Sequence, residues 1–246
     1  MPLRRRSVLI WSIALCAAIV VTLVAARRDA IACGFAESAG LEQIGPSILA
    51  DEHSNSQQRA ELVDLLEGSR QRIADIYGLP KANPLVISIR SRMADFWFGS
   101  NEYGSTIFAF NRACVVIGPK GHNLDVVSHE LVHAEIFERV GAVRRFLYLP
   151  TWFDEGAAMQ ADKRDAYEMR NFAGKAAPEV TSLTYGWQFF KGPDETLKFH
   201  YALAKQEVAQ WLSEAGGGKA LYPMLDEIRR GSKFQKAYAS ARRPAH

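Results

Sequence analysis

Apolar positions along the chain change period several times, and each change marks an element. Residues 57–77 carry Leu62, Leu65, Leu66, Ile73, Ile76 and Tyr77 at helical spacing, and Gly78-Leu79-Pro80 stops that helix. Residues 85–89 are a β-branched run that reads as a strand. Residues 90–105 gather Phe96, Trp97, Phe98 and two glycines, and read as a hairpin loop over a cleft. Two further strands are predicted at 106–110 and 114–117, joined by Asn111-Arg112-Ala113. Asn123 suits an N-cap, and Asp125 in the first turn favours the dipole of a helix running to about Val140. Residues 141–149 read as a connection, and Pro150 suits the start of the next helix. Residues 178–193 read as an aromatic-rich loop. Helical patterns return at 201–214, 221–229 and 234–241, and Gly216-Gly217-Gly218-Lys219 is a turn between two of them. The predicted class is α+β: a small mixed sheet, two central helices and a helical C-terminal part.

The N-terminus follows a different pattern. Arg4-Arg5-Arg6 precedes an uncharged apolar run at 8–26, 19 residues long. As a helix that run measures about 28 Å, close to a bilayer core. The arginines should remain cytoplasmic and direct the rest of the chain outward. An uncleaved signal anchor is expected over 1–29; the competing reading is a signal peptide cut after Ala26, which would release a secreted protein. Residues 30–55 are polar and mixed, include Gly45-Pro46, and read as a linker to a domain over 56–246.

The net charge of +3 changes meaning once it is divided. Residues 1–29 hold five Arg and one Asp, or +4, which leaves −1 for the remainder. A nucleic-acid binder is expected to carry a basic stripe in its folded part, and that balance does not suggest one. Of three cysteines, Cys16 lies in the apolar run. Cys33 and Cys114 fall on the outward side, where disulfides persist, and can pair there.

The chemistry centres on His129-Glu130-Leu131-Val132-His133, an H-E-x-x-H pattern. Helix positions four apart share a face, so His129 and His133 can point two imidazoles at one metal ion. Glu130 is offset by one position and can reach a water beside that ion. A second stretch, Trp152-Phe153-Asp154-Glu155-Gly156-Ala157-Ala158, follows closely; Glu155 lies 22 positions after His133. A carboxylate there, on a second helix packed beside the first, can complete a His, His, Glu set. Catalytic zinc usually takes three protein ligands and leaves one position open.

With both motifs in view, the chain resembles the gluzincins, zinc peptidases with H-E-x-x-H and a downstream Glu. It looks most like their aminopeptidase N and peptidase MA-like branch, whose second motif reads W-x-x-E-G-x-A. Trp152, Glu155, Gly156 and Ala158 match it, and the likeness spans roughly residues 85–239. It implies a zincin-like fold, Zn²⁺ on His129, His133 and Glu155, and Glu130 as general base in hydrolysis of a peptide or protein substrate. It also implies a Tyr or His donor to the oxyanion from a later helix: Tyr201 first, with His200 and Tyr185 as alternatives. Two departures matter. Met159 stands where thermolysin-like relatives carry an Asp that orients an imidazole, so the partner must come from elsewhere; the candidates are Asp162, seven positions after Glu155 and on the same helix face, and Asp154. The G-x-M-x-N exopeptidase motif is absent before the first motif. An edge strand at 106–110 or 114–117 can instead bind an extended peptide, which favours endopeptidase action. The alternative to an enzyme is a non-catalytic zinc domain that binds a protein or cell-envelope partner through the same cleft.

Overall fold

The computed structural model describes residues 28–38, 40–51, 54–90, 102–109 and 112–242. The expected anchor at 8–26 and the aromatics Phe96, Trp97 and Phe98 lie outside the described residues. Among the described residues, no helix is long and apolar enough to cross a membrane.

The fold is α+β, with one small mixed sheet. In chain order the elements are α1 (Arg28–Phe35), β1 (Glu42–Gly45), β2 (Ile48–Ala50), α2 (Ser56–Tyr77), β3 (Leu85–Ser88), β4 (Gly104–Ala109) and β5 (Arg112–Ile117). There follow α3 (Leu124–Val140), α4 (Ala142–Tyr148), α5 (Thr151–Ala161), α6 (Gly186–Phe189), α7 (Asp194–Glu214), α8 (Leu221–Arg229) and α9 (Phe234–Ala241). The sheet order is β1-β2-β3-β5-β4. β2, β3 and β5 run parallel, while β1 and β4 pair antiparallel at the edges. β5 is buried along nearly its whole length because both of its faces are covered. On one face Val86, Val115 and Ile117 pack with Val127, Leu131 and the other helices. On the other, Ile87, Ile107, Cys114 and Val116 pack with Ala30, Cys33 and Ala36.

That second face corrects the linker reading. Residues 30–38 and 40–50 are part of the fold: α1 caps the sheet, and β1 and β2 extend it. The physical reason is the apolar outer face of β3 and β5, which is costly to leave in water. Cys33 and Cys114 are joined by a disulfide, with Cα atoms 6.0 Å apart. It closes a loop of 81 positions, which corresponds to about 4 kcal/mol in the chain-entropy account. Replacing both cysteines with serine should therefore lower the denaturant midpoint sharply; an unchanged midpoint would mean that α1 is held by packing alone.

The helix boundaries have local causes. The Asn123 side chain accepts from the Val126 N–H at 3.0 Å and starts α3. Gly141 ends it, with φ of 84° and its N–H on the Phe137 carbonyl. The connection expected at 141–149 contains α4, which buries none of its residues. Pro150 occupies the N-cap of α5. Trp152 and Phe153 then fix α5 to the C-terminal helices, with ring centroids 5.1 Å apart for Phe153 and Phe234 and 5.4 Å for Phe153 and Trp211. The stretch 178–193 holds a 3-10 turn (Val180–Ser182) and the short α6 instead of a plain loop.

Candidate metal centre

α3 carries both histidines on its cleft-facing side, and α5 brings Glu155 against them. The His129 and His133 Nε2 atoms lie 3.1 Å apart. Glu155 Oε2 lies 3.4 Å from each. All three residues are buried, and this group could hold a metal ion. Glu155 Oε2 has no hydrogen-bond donor of its own. Burial disfavours charge on His133, but Glu155 and Asp154 outweigh it and hold its pKa well above the ordinary histidine value. Burial likewise opposes the Glu155 carboxylate, yet His133 and His129 hold its pKa well below the usual carboxylate range. The cluster thus draws positive charge to its centre. A proton on His133 and a metal ion compete for that place.

Each imidazole is backed by an aspartate, and each aspartate by an arginine. His133 Nδ1 donates to Asp154 Oδ1 at 3.0 Å, which leaves the Nε2 lone pair facing the centre. Arg145 bonds the other Asp154 oxygen and lies over the Phe108 ring at 3.8 Å. On the opposite side, Asp162 Oδ2 lies 3.8 Å from His129 Nδ1, an ion-pair distance longer than a hydrogen bond. Arg164 clamps Asp162 through Nε at 3.0 Å to both oxygens and Nη2 at 2.5 Å. Asp162 was expected on the helix face of Glu155. It sits one residue past the end of α5, and the turn of the chain there brings it to His129. Asp154 thus hydrogen-bonds one imidazole, and Asp162 lies at ion-pair distance from the other.

Glu130 faces the same cleft. Its Oε2 lies 2.7 Å from the Thr106 hydroxyl on β4, which is also 2.9 Å from the Glu130 carbonyl oxygen. Gly104 makes room for it, since a Cβ there would come within 3.1 Å of Glu130 Cγ and 3.0 Å of Val126 Cγ1. Of the three oxyanion candidates, Tyr201 lines the cleft, with its ring 6.2 Å from that of His129. Burial, then Glu155 and Glu130, push its phenol well above the ordinary value, so it stays protonated and able to donate. His200 turns away and bonds the Phe189 carbonyl oxygen through Nδ1 at 2.7 Å. Tyr185 is 60% exposed and stacks on Trp187.

The cleft consists of two adjoining cavities of about 170 and 430 Å³, which share Gly104, His129, Glu130 and Tyr201. Arg164, Tyr167 and Met159 line the smaller, and Thr106, Phe108, Arg145 and Phe190 the larger. Thr106, Arg145, Arg164 and Tyr167 were not anticipated from the sequence. Only Thr106 carried a signal, as a polar position in a strand beside the H-E-x-x-H helix. No protein-family model matches the chain, and no curated protein does.

Proposed function

We propose that the protein is a zinc-dependent peptidase of zincin-like fold, held at a membrane with its catalytic domain outside the cytoplasm. One observation carries this reading: the triangle of His129 Nε2, His133 Nε2 and Glu155 Oε2, with sides of 3.1, 3.4 and 3.4 Å. Tetrahedral zinc with N and O ligands at about 2.0–2.2 Å places ligand atoms about 3.3–3.6 Å apart; both Glu155 sides fall in that range, and the shorter His129–His133 side requires the two imidazoles to part slightly to admit the ion. The donors also suit the ion chemically, being two imidazoles, one of them oriented by Asp154, and a carboxylate oxygen with no other partner. Bound there, zinc supplies Lewis acidity toward a carbonyl oxygen and lowers the pKa of a water.

The chain's own residues carry the remaining work. Glu130 takes the proton from the attacking water and returns it to the leaving amine. The Thr106 hydroxyl keeps its carboxylate turned toward the cleft. The Tyr201 phenol donates to the oxyanion as it forms. β4 is an edge among the described strands, and its residues 104–106 line the cleft, so an extended peptide can add to it as a further strand. Glu130 separates this reading from a purely structural zinc domain, which has no use for a carboxylate that does not bind the metal. The Cys33–Cys114 pair agrees with an oxidising compartment.

The test is cleavage of a broad peptide set by the full chain, abolished by chelator and restored by zinc. Zinc-loaded protein that cleaves nothing would favour the binding module. Once cleavage is measured, Tyr201→Phe should lower kcat about 10²-fold with KM nearly unchanged. An unchanged kcat would remove Tyr201 from the mechanism.

A further inference from the structure

The exposed large hydrophobic side chains are not scattered. Val143, Phe146, Leu147 and Tyr148 on α4, and Tyr185 and Trp187 at the start of α6, account for most of those exposed among the described residues. Phe146 is 85% exposed and Trp187 73%. The two helices belong to one rim. Just after α4, Thr151 N–H donates to the carbonyl oxygen of Thr184, just before α6, at 2.8 Å. Arg145 of α4 and Phe190, next after α6, line the same cavity of the cleft. A patch of this kind beside a cleft marks a contact surface.

The start of the described chain indicates what covers it. The apolar run ends at Ala26, α1 begins at Arg28, and only Arg27 lies between them. The described residues 30–38 and 40–50 belong to the fold, so the stretch joining the run to it is one residue long in sequence. A spanning run would leave Arg27 and Arg28 in a headgroup layer only about 6 Å deep. α1 packs on β4: Ala30 and Cys33 share a buried cluster with Ile107 and Ala109, and Arg112 Nη2 donates to the Cys33 carbonyl at 2.9 Å. Arg145 stacks on Phe108 of the same strand, from the opposite face. The helix that follows the apolar run and Arg145 of the rim therefore meet the same strand, β4, from its two faces.

We infer that the α4–α6 rim docks on a phospholipid surface, seating the cleft against the bilayer, and that the substrate is a peptide segment tethered to or emerging from that bilayer. This rests on the anchor and peptidase readings above. Trp, Tyr and Phe suit the interfacial layer, and the exposed Lys191 beside them suits anionic headgroups.

The experiment uses the full chain in phosphatidylcholine–phosphatidylglycerol vesicles with brominated acyl chains. Trp187→Phe isolates the quenching due to the rim, and Trp11→Phe isolates that due to the apolar run. Trp187 should be quenched, and Phe146→Asp with Leu147→Asp should abolish its share while leaving that of Trp11. Quenching of Trp11 without Trp187 would overturn the proposal and leave the rim to a second copy or a protein partner. Absence of both would overturn the anchor and the proposal together. In the cleavage arm, the same double variant should cut a lipid-tethered peptide about tenfold more slowly, with a soluble peptide unaffected. Equal loss on both would show that the rim supports the fold and not docking. If wild type cuts neither peptide, the peptidase reading fails while the quenching still decides the docking.

Discussion

Glu130→Gln is expected to hold its metal and lose its activity. The amide keeps the size of the side chain, and its oxygen still accepts from Thr106, which lies 2.7 Å from the carboxylate. Glu130 is not one of the three converging donors, so zinc content should stay at the wild-type level. What disappears is basicity. An amide cannot take the proton of the attacking water or return one to the amine, and such roles contribute about 10²- to 10⁴-fold. Turnover should fall by that factor with peptide affinity nearly unchanged. A variant that cleaves as fast as wild type would show that Glu130 is not the base.

Gly156→Ala should be far more damaging than its size suggests. A Cβ at Gly156 would lie 2.4 Å from the Ala204 carbonyl oxygen and 2.6 Å from Val208 Cγ2, both on α7. In an ordinary helix the change would gain about 1 kcal/mol from propensity. Here the nearest atom belongs to a helix backbone and cannot rotate aside, so α5 and α7 must separate. Overpacking of this kind costs about 1–3 kcal/mol even where side chains can adjust. The consequences reach the site, because Glu155 is the preceding residue on α5 and Tyr201 lies one turn before Ala204 on α7. The variant should melt several degrees lower and retain less zinc than wild type. Unchanged melting and zinc content would mean that this glycine is not required by helix packing.

The parts of the fold legible in the sequence are those where one chemical signal decides locally. Asn123 and Gly141 bound α3, Pro150 and the apolar run after it set α5, and the glycines at 216–218 separate α7 from α8. That His129 and His133 face one point was legible for the same reason, since spacing on a helix fixes which side chains share a face; Glu155, on another helix, stood out only by its own motif. The region 30–50 was not. α1 buries only small residues, Ala30 and Cys33, and β1 is half exposed, so neither shows a clear period. α4 buries nothing and has no apolar stripe toward a core. Arg145 and Arg164 escaped notice because their roles exist only in tertiary contact. An arginine gives no sign of which aspartate it will clamp.

The central claim is one zinc ion on His129, His133 and Glu155, and anomalous diffraction at the zinc edge from crystals of the full chain tests it most directly. One strong peak per molecule is expected, about 2.0–2.2 Å from both Nε2 atoms and a Glu155 oxygen, and none in His133→Ala. A zinc peak elsewhere, or one that survives intact in His133→Ala, would contradict it.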